Sequence, residues 1–385
     1  MRALLLVGLL AVSACGGSTV DRKSVTAGSG SFAATLREAH GQEVRWWMFG
    51  GDARVNAYVD RRVAPAAERL GVRLRRVPVA DTADAVQRVI AQRRAGRRSG
   101  GAVDLIWING ENFAAGKRAG LWLQDWLGAL PNARYLDMQD PAIARDFQVP
   151  VDGQEAPWSR AAFVYAHDRA RVPEPPRTFD ALLEWAAAHP GRFTYPAPPD
   201  FTGSAFVRQV VMVKGEDAAF EYLRRLKPLM YREGHALPKS EAELNELFAN
   251  GQVDFAMSYD ASFVQAAVRR RQFPRSARPF LLEGGSLTNV SFVAIPADAA
   301  HHAGARVVAN LLLSPELQAA KADPAVLGHP TVLDLSRLQP GARDRFRRAA
   351  SSPYLLPDFG EARAELPAAE VPRLESRWQQ EVLRD

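Results

Sequence analysis

A short apolar stretch with a polar end constrains this chain more than any other feature. Residues 103–108 read V-D-L-I-W-I, a composition typical of a strand that is buried on both faces. The run stops at Asn109, Gly110, Glu111 and Asn112, which favour a turn. Ligands of open α/β sheets bind just beyond the carboxyl ends of the strands, so this loop is a candidate binding loop. The alternative is a polar turn in which Asn112 caps the following helix.

The elements around this strand indicate parallel βαβ units. Strand-like runs at 43–49 and 72–77 precede it, and each is followed by apolar residues at helical spacing. Strands that alternate with helices in this way form a parallel sheet. Pro65 lies inside the first helical pattern and should kink or divide that helix. These features predict an α/β fold.

A second domain is expected in the middle of the chain. The length of 385 residues is sufficient for two domains. A β-like run at 161–166 marks the crossing into the second domain, and a strand is predicted at 253–258. A loop-like segment at 284–289 then leads to a strand at 290–295, which we interpret as the return to the first domain.

The N-terminus has the pattern of a secretory signal. Met1-Arg2 precedes an apolar run at 3–12, which is too short to anchor the mature chain across a bilayer. The segment Val12–Cys15 resembles a bacterial lipoprotein cleavage box, and Cys15 is the only cysteine of the chain. We therefore expect a signal peptide at 1–14, a lipid on Cys15, and a flexible tether at 15–40. The alternative is ordinary cleavage nearby, without a lipid.

Composition and motifs argue against several classes of function. The net charge of +6 comes mostly from scattered arginines, without the aromatic-interleaved basic motif of nucleic-acid binders. The sequence contains no G-x-S-x-G elbow, P-loop, G-x-G-x-x-G or H-E-x-x-H motif. We therefore predict no enzyme, no cofactor, no metal site and no nucleic-acid partner. A secreted hydrolase with carboxylates that pair only in space is the rival interpretation.

A recurrent pattern of glycine, amide, hydroxyl, carboxylate and aromatic residues marks the ends of the predicted strands. Such groups can orient a small molecule by hydrogen bonds while aromatic rings enclose it. Two alternatives apply: one of Trp46 and Trp47 should pack in the core, and Thr202 and Ser204 can be helix caps. The candidate binding residues are Trp47, Gly50, Gly51, Asp52, Asn109, Gly110, Glu111, Asn112, Trp158, Ser159, Thr202, Gly203, Ser204, Tyr259, Asp260 and Asn289.

Several longer stretches resemble one known family. They are W-W-M-F-G-G-D from Trp46, D-L-I-W-I-N-G-E-N-F from Asp104, Y-P-A-P-P-D-F-T-G-S-A-F-V-R from Tyr195 and A-M-S-Y-D from Ala256. From about residue 40 onward, the chain resembles the solute-binding proteins of bacterial ABC importers with the periplasmic-binding-protein type II fold. The branch is distantly similar to the thiamine, iron(III) and polyamine binders. Iron binders usually present a tyrosine pair late in the chain, and this sequence has no Tyr-Tyr.

The resemblance implies two lobes, each a mixed, mainly parallel sheet flanked by helices, which are joined by hinge strands and close over a solute. It assigns 41–158 and 290–335 to lobe one, 159–289 to lobe two, and 336–385 to a C-terminal helical segment. The implied partners are a small-molecule solute and a permease with a cytoplasmic ATPase. The protein would be a monomer that is held by its lipid in the periplasm or cell envelope.

The ligand is the least constrained prediction. The carboxylates and rings of the candidate set suit an organic cation, thiamine-like or a polyamine. The residues concerned are Asp52, Glu111, Asp260, Trp47, Trp158 and Tyr259. An anion bound at the Thr202–Ser204 helix start or a metal complex is the alternative ligand. A purely structural surface lipoprotein is a further alternative.

Overall fold

The protein is described here from a computed structural model, which covers residues 29–348, 352–356 and 361–384. The predicted signal peptide, Cys15 and the first part of the predicted tether lie outside the described residues. The strands are β1 (Glu43–Phe49), β2 (Arg73–Val79), β3 (Leu105–Ile108), β4 (Arg145–Asp146), β5 (Val149–Pro150), β6 (Glu155–Ala162), β7 (Val164–Asp168), β8 (Phe255–Ser258), β9 (Ala277–Phe280), β10 (Ser286–Ala294) and β11 (Ala362–Ala364).

The α-helices alternate with these strands through most of the chain. They are α1 (Ser29–Ala39), α2 (Ala53–Tyr58), α3 (Ala64–Glu68), α4 (Thr82–Arg94), α5 (Glu111–Arg118), α6 (Pro141–Ala144), α7 (Phe179–Ala188), α8 (Phe201–Lys214), α9 (Glu216–Leu226), α10 (Glu241–Ala249), α11 (Phe263–Arg269), α12 (His302–Leu312), α13 (Pro315–Ala322), α14 (Pro340–Arg343) and α15 (Glu370–Trp378). Within the described ranges, no helix has the length and apolar character that a membrane span needs.

Strands β1, β2 and β3 form the parallel part of the first sheet, as the strand–helix alternation predicts. β1 lies between β2 and β3, and β10 pairs antiparallel with β3. β6 pairs antiparallel with β10, whereas β11 pairs parallel with the first residues of β10. Because β1, β2 and β3 run in the same direction, their carboxyl ends lie at one edge. The loops that follow β1 and β3 therefore meet at this edge.

The second sheet is built on the continuation of β6. After Phe163 the chain continues as β7, which pairs antiparallel with β8 on one side and β9 on the other. The expectation of a mainly parallel sheet in each lobe therefore fails for this sheet, because β7 enters from the connecting strand against the direction of both neighbours. Strands β6 and β10, which belong to the first sheet, run antiparallel to each other.

Strand β10 is longer than the sequence predicts. Residues 284–289 are predicted as a loop, but β10 begins at Ser286. The reason is tertiary pairing: Thr288 lies opposite Ala162 of β6 and also pairs with β11. Partners on both sides therefore hold these polar residues in an extended conformation.

Each sheet has its own hydrophobic core, so the molecule consists of two lobes, which we call lobe one and lobe two. Trp46, Ile106 and Val293 are among the buried residues of the lobe-one core. The lobe-two core includes side chains of β7, α8 and β8. It also includes Leu374 and Trp378 of α15, so the C-terminal helix packs on lobe two. The predicted two-lobed α/β fold is confirmed.

Part of the predicted tether is helical. Residues 29–39 form α1, in which Phe32 and Leu36 pack against the lobe-one core and Ala39 is buried. The three residues have the spacing of one helix face. The flexible-tether prediction is therefore wrong for this part, because the Gly- and Ser-rich composition ends before Phe32.

Pro65 divides its helix as predicted. α2 passes into a π-helical turn at Val59–Val63, and α3 follows with Pro65 in its first turn. A π-helical turn accommodates the interruption of the hydrogen-bond ladder that a proline causes.

Candidate functional site

Four helices begin where the two lobes face each other, and we call the space between their first turns the cleft. Lobe one supplies α2, capped by Asp52, and α5, which follows Gly110. Lobe two supplies α8, capped by Asp200, and α11, which follows Ser262. The predicted binding loops of lobe one therefore face the first turns of two helices of lobe two.

Arg54 of α2 connects the lobes on one side of the cleft. Its Nη1 donates to Ser262 Oγ at 2.9 Å and to the carbonyl oxygen of Leu327 at 3.1 Å. Its Nη2 forms an ion pair with Asp260, and Asp52 Oδ2 lies 3.8 Å away. Burial lowers the pKa of Arg54, and the Asp52 carboxylate acts in the opposite direction. Two of the predicted carboxylates thus share one arginine.

His329 lies against the same group. Its Nδ1 is 3.2 Å from Ser159 Oγ, and its Nε2 is 3.4 Å from Asp260 Oδ1. Burial and the charges of Lys321 and Arg54 lower the pKa of His329 to about 3, so the imidazole is neutral near pH 7. Ser159, from connecting strand β6, is therefore brought to the Asp260 side of the cleft.

A second arginine, Arg208 of α8, forms a buried network on the other side. Its Nε and Nη2 donate to the two carboxylate oxygens of Glu365 at 2.8 and 3.0 Å. The side chains of Arg208 and Glu365 are only 2% and 3% exposed. Tyr259 OH also donates to Glu365. Arg208 Nη1 donates to Ser204 Oγ at 2.7 Å, and Ser204 donates to Glu375 at 2.6 Å.

Aromatic rings line this network. The Arg208 guanidinium lies 5.6 Å from the Phe147 ring centre and 5.7 Å from that of Phe201. Phe201 is 5.2 Å from Tyr259 between ring centres and is 42% exposed. An exposed aromatic face beside carboxylates is suited to contact with a cation.

Gly110 positions the binding loop of lobe one. Its backbone has φ +63° and ψ −133°, which favours glycine, and its N–H donates to both carboxylate oxygens of Asp146 at 2.8 Å. Burial raises the pKa of Asp146. Gly110 is also the N-cap of α5, so the alternative, in which Asn112 caps this helix, is wrong. Asn112 is the second helical residue, and its Nδ2 donates to Glu111 Oε1 at 3.3 Å.

Glu111 contributes a carboxylate to the cleft from the start of α5. Among the described residues, no basic side chain lies within ion-pairing distance of it. Burial raises the pKa of Glu111, the charge of Arg208 opposes this effect, and that of Glu375 adds to it. Glu111 is thus near enough to Arg208 and Glu375 to feel their charges, and it adds negative charge to the Arg208 side of the cleft from lobe one.

The start of α8 already contains a carboxylate. Asp200 Oδ1 accepts hydrogen bonds from the N–H groups of Thr202 at 3.0 Å and Gly203 at 2.9 Å. A Cβ atom at Gly203 would lie 1.9 Å from the Pro196 carbonyl oxygen, so this turn packs closely. Thr202 Oγ1 donates to Glu241 at 2.6 Å, and burial raises the pKa of Glu241 to about 7. An anionic ligand would have to displace Asp200 from these amides.

The two predicted tryptophans differ in burial: Trp158 lies in the lobe-one core, and Trp47 is partly buried against it. Trp47 Nε1 donates to the carbonyl oxygen of Ala102 at 3.3 Å, before β3 begins. Trp158 is 1% exposed and packs edge-on against Trp46 at 5.7 Å and Trp107 at 5.0 Å. The expectation that Trp158 presents an open face to a solute is wrong, because its ring is enclosed by Trp46 and Trp107. Trp47 lies on the opposite face of β1 from Trp46 and is partly buried.

The other predicted residues mainly shape the backbone. The Gly50 carbonyl oxygen accepts from Asn56 Nδ2 at 2.8 Å. A Cβ atom at Gly51 would lie 2.3 Å from the Phe49 ring. Asn109 is partly buried ahead of α5, and Asn289 is 7% exposed within β10.

Both arginines, together with Glu365 and His329, were missed in the sequence analysis. Arg208 lies one helical turn after Ser204, and Arg54 lies two residues after Asp52, so their proximity to predicted site residues was available as a signal. Glu365 and His329 have no such signal. Their contacts join positions 157 and 170 residues apart in the chain.

Comparison with known proteins decides the family. Residues 61–340 match the family described as bacterial extracellular solute-binding protein. The chain belongs to this family. This solute-binding protein is 40% identical over 359 residues to Protein YnjB of Escherichia coli strain K12, a match that covers 89% of this chain and 91% of that protein.

Solved structures agree on the fold. An extracellular solute-binding protein from Bordetella parapertussis has 13% identity and a TM-score of 0.64, with 88% of this chain and 98% of that chain covered. A structure described as a periplasmic thiamin binding protein has 18% identity and a TM-score of 0.62, with 88% and 96% covered. The predicted membership of the ABC-transporter solute-binding proteins is confirmed.

Proposed function

We propose that this solute-binding protein captures a small organic cation between its two lobes and delivers it to an ABC permease. The charge of the cleft is the observation that supports this most strongly. Arg54 and Arg208 are both paired with carboxylates of the chain itself. Glu111 has no basic partner within ion-pairing distance among the described residues. The cleft thus has a surplus of negative charge for a ligand to balance.

Glu111, Gly110, Ser204 and Tyr259 are the proposed contacts nearest the cation. The exposed ring of Phe201 adds an aromatic face to the carboxylates of Glu111 and Glu375. Charge pairing together with a cation–π contact suits a ring-bearing cation such as a thiamine-like solute, or a polyamine. The fold shared with the thiamin binding protein is compatible with such a ligand.

Closure follows from contacts that originate in both lobes. Glu111 belongs to lobe one and Phe201 to lobe two, so a solute that touches both is bound more tightly when the lobes are together. Such differential binding shifts the population towards the closed form. Arg54 would contribute to the same form by its contacts with Asp260 and Ser262.

An anionic ligand is less well supported. The amides at the start of α8, which the sequence offered for an anion, already donate to Asp200. We therefore keep the cation as the proposed ligand.

The cellular arrangement we propose follows the sequence expectations. Cys15 would carry a lipid and hold a monomeric protein in the periplasm or cell envelope, beside a permease with a cytoplasmic ATPase. The extracellular family to which the chain belongs supports this location. A binder releases its solute unchanged, so incubation with a bound cation should leave that cation chemically intact by mass spectrometry.

The test is a thermal-shift screen of the purified protein with thiamine, putrescine, spermidine and choline. We expect at least one cation to raise the melting temperature of the wild type. Glu111→Gln should lower the affinity for that cation by about tenfold or more, because a charge-assisted contact is lost. Glu216→Gln, which removes a carboxylate outside the cleft, should bind as the wild type does. Unchanged binding by Glu111→Gln would refute the cation proposal.

A further inference from the structure

Glu365 contacts Arg208 as a bound carboxylate ligand would. Both of its oxygens accept from the guanidinium, at 2.8 and 3.0 Å, and Tyr259 OH donates to it as well. Bidentate pairing of this kind is the usual way in which arginine recognises a carboxylate. The arrangement is closed to solvent, since both side chains of the ion pair are at most 3% exposed.

The carboxylate is delivered by a part of the chain that lies far from α8 in sequence. Glu365 follows β11 and precedes α15. Its carbonyl oxygen accepts from Gln148 Nε2 at 2.9 Å, and Ala368 N–H donates to the Phe147 carbonyl oxygen at 3.0 Å. This C-terminal segment therefore crosses a loop of lobe one while it inserts Glu365 beside Arg208.

We propose that Glu365 determines the charge class of the solute, because it occupies a carboxylate site formed by Arg208 and Tyr259 that would otherwise take an anionic solute. With Glu365 in place, Arg208 has no free donor pair for a ligand. Glu111 and Glu375 then dominate the charge of this side of the cleft. The inference rests on the proposed function for its statement about cations, but the carboxylate site can be tested without any cation.

The direct test is Glu365→Ala titrated with acetate, which corresponds to the atoms that the substitution removes. In chloride buffer, we expect the variant to melt at a lower temperature than the wild type and to regain stability saturably as acetate is added. Inorganic phosphate serves as a second anionic probe. The wild type should show no saturable response to acetate, because its own carboxylate fills the site.

Two matched variants separate this site from general salt effects. Glu216→Ala removes a carboxylate that pairs with Arg373 and Arg377 at the surface, and it should show no saturable rescue by acetate. Glu365→Gln keeps the shape of the side chain and fills the site with a neutral amide, so acetate should not rescue it either. We expect its affinity for any cation that binds the wild type to fall by about tenfold or more.

The outcomes distinguish the two proposals. If Glu365→Ala shows no saturable response to acetate or phosphate, the carboxylate site is refuted, whatever the wild type binds. If Glu365→Ala does not fold, unchanged cation affinity in Glu365→Gln refutes the role of Glu365 in charge selection. If instead the wild type binds no cation while acetate rescues Glu365→Ala, the proposed function fails and the carboxylate site stands.

Discussion

Two arginines line the same cleft, and they differ in how deeply they are buried and in where their carboxylate partners lie. Arg54 reaches from lobe one to Asp260 of lobe two, and the two side chains are 16% and 15% exposed. Arg208 and Glu365 both pack against lobe two and are 2% and 3% exposed. The first pair must break when the lobes separate, whereas the second can persist in both forms.

The surroundings of the two arginines shift their pKa values in opposite directions. Burial lowers the pKa of Arg54, whereas the Glu365 carboxylate raises the pKa of Arg208 despite the effect of burial. A buried charge is expensive to leave without its partner, while a part-exposed one is rehydrated when the pair opens. We infer that Arg54 takes part in closure and that Arg208 and Glu365 fix the charge of the cleft.

The largest predicted effect is on Arg208. Arg208→Met leaves Glu365 buried without its cation, and we expect a loss of about 3–5 kcal/mol in the free energy of unfolding. Urea denaturation of the variant and the wild type measures this loss of stability. The double variant Arg208→Met/Glu365→Leu removes both charges and should recover most of the loss. Equal stability of the single variant and the wild type would show that this pair is not the buried element we describe.

Part of the pH dependence of stability should come from Glu241, whose carboxylate accepts a hydrogen bond from the Thr202 hydroxyl. Its folded pKa of about 7 lies above the ordinary 4.5, so the native state retains a proton that the unfolded chain loses between these values. Stability therefore falls as the pH rises from about 4.5 to about 7. We expect a melting temperature a few degrees lower at pH 8 than at pH 5.

Glu241→Gln should remove this part of the pH dependence. Glu246→Gln, at an exposed position of the same helix, should retain it. A pH profile that is the same for Glu241→Gln and the wild type would contradict the assignment.

The smallest effect on stability is expected at Arg54. Arg54→Met should cost less than Arg208→Met, because Asp260 can be rehydrated when the lobes separate and is not left buried without its cation. The closed form should nevertheless lose population, which small-angle scattering would detect as a larger radius of gyration in the presence of a bound cation. Arg76→Met removes a comparable pair with Asp60 within lobe one and should leave closure unchanged. Closure of Arg54→Met at wild-type cation concentrations would exclude Arg54 from that role.

The first sheet could be predicted because the patterns that specify its strands lie within short stretches of sequence. Strands that alternate with helices specify β1, β2 and β3, and a polar loop after a buried strand indicates which end binds a ligand. The direction of β7 could not be predicted in this way, since it depends on how the connecting strand enters lobe two. Trp158 was misassigned because alternation does not reveal that both faces of β6 are covered.

The candidate site was only partly predictable. Asp52, Glu111, Ser204 and Tyr259 follow or precede elements that the sequence shows, and each touches or lies beside one of the two arginine groups. Glu365 could not be found, since its role depends on the path of the C-terminal segment across the lobes. Charge balance in a cleft is a property of such long-range pairs, which a single sequence does not display.

The central claim is that the cleft takes a positively charged organic solute because its own carboxylates already neutralise its arginines. The most direct test is native mass spectrometry of the protein purified from cells, followed by release and identification of the solute that accompanies it. We predict an organic cation whose occupancy is lost in Glu111→Gln. A carboxylate- or phosphate-bearing solute bound equally by the wild type and Glu111→Gln would contradict this account.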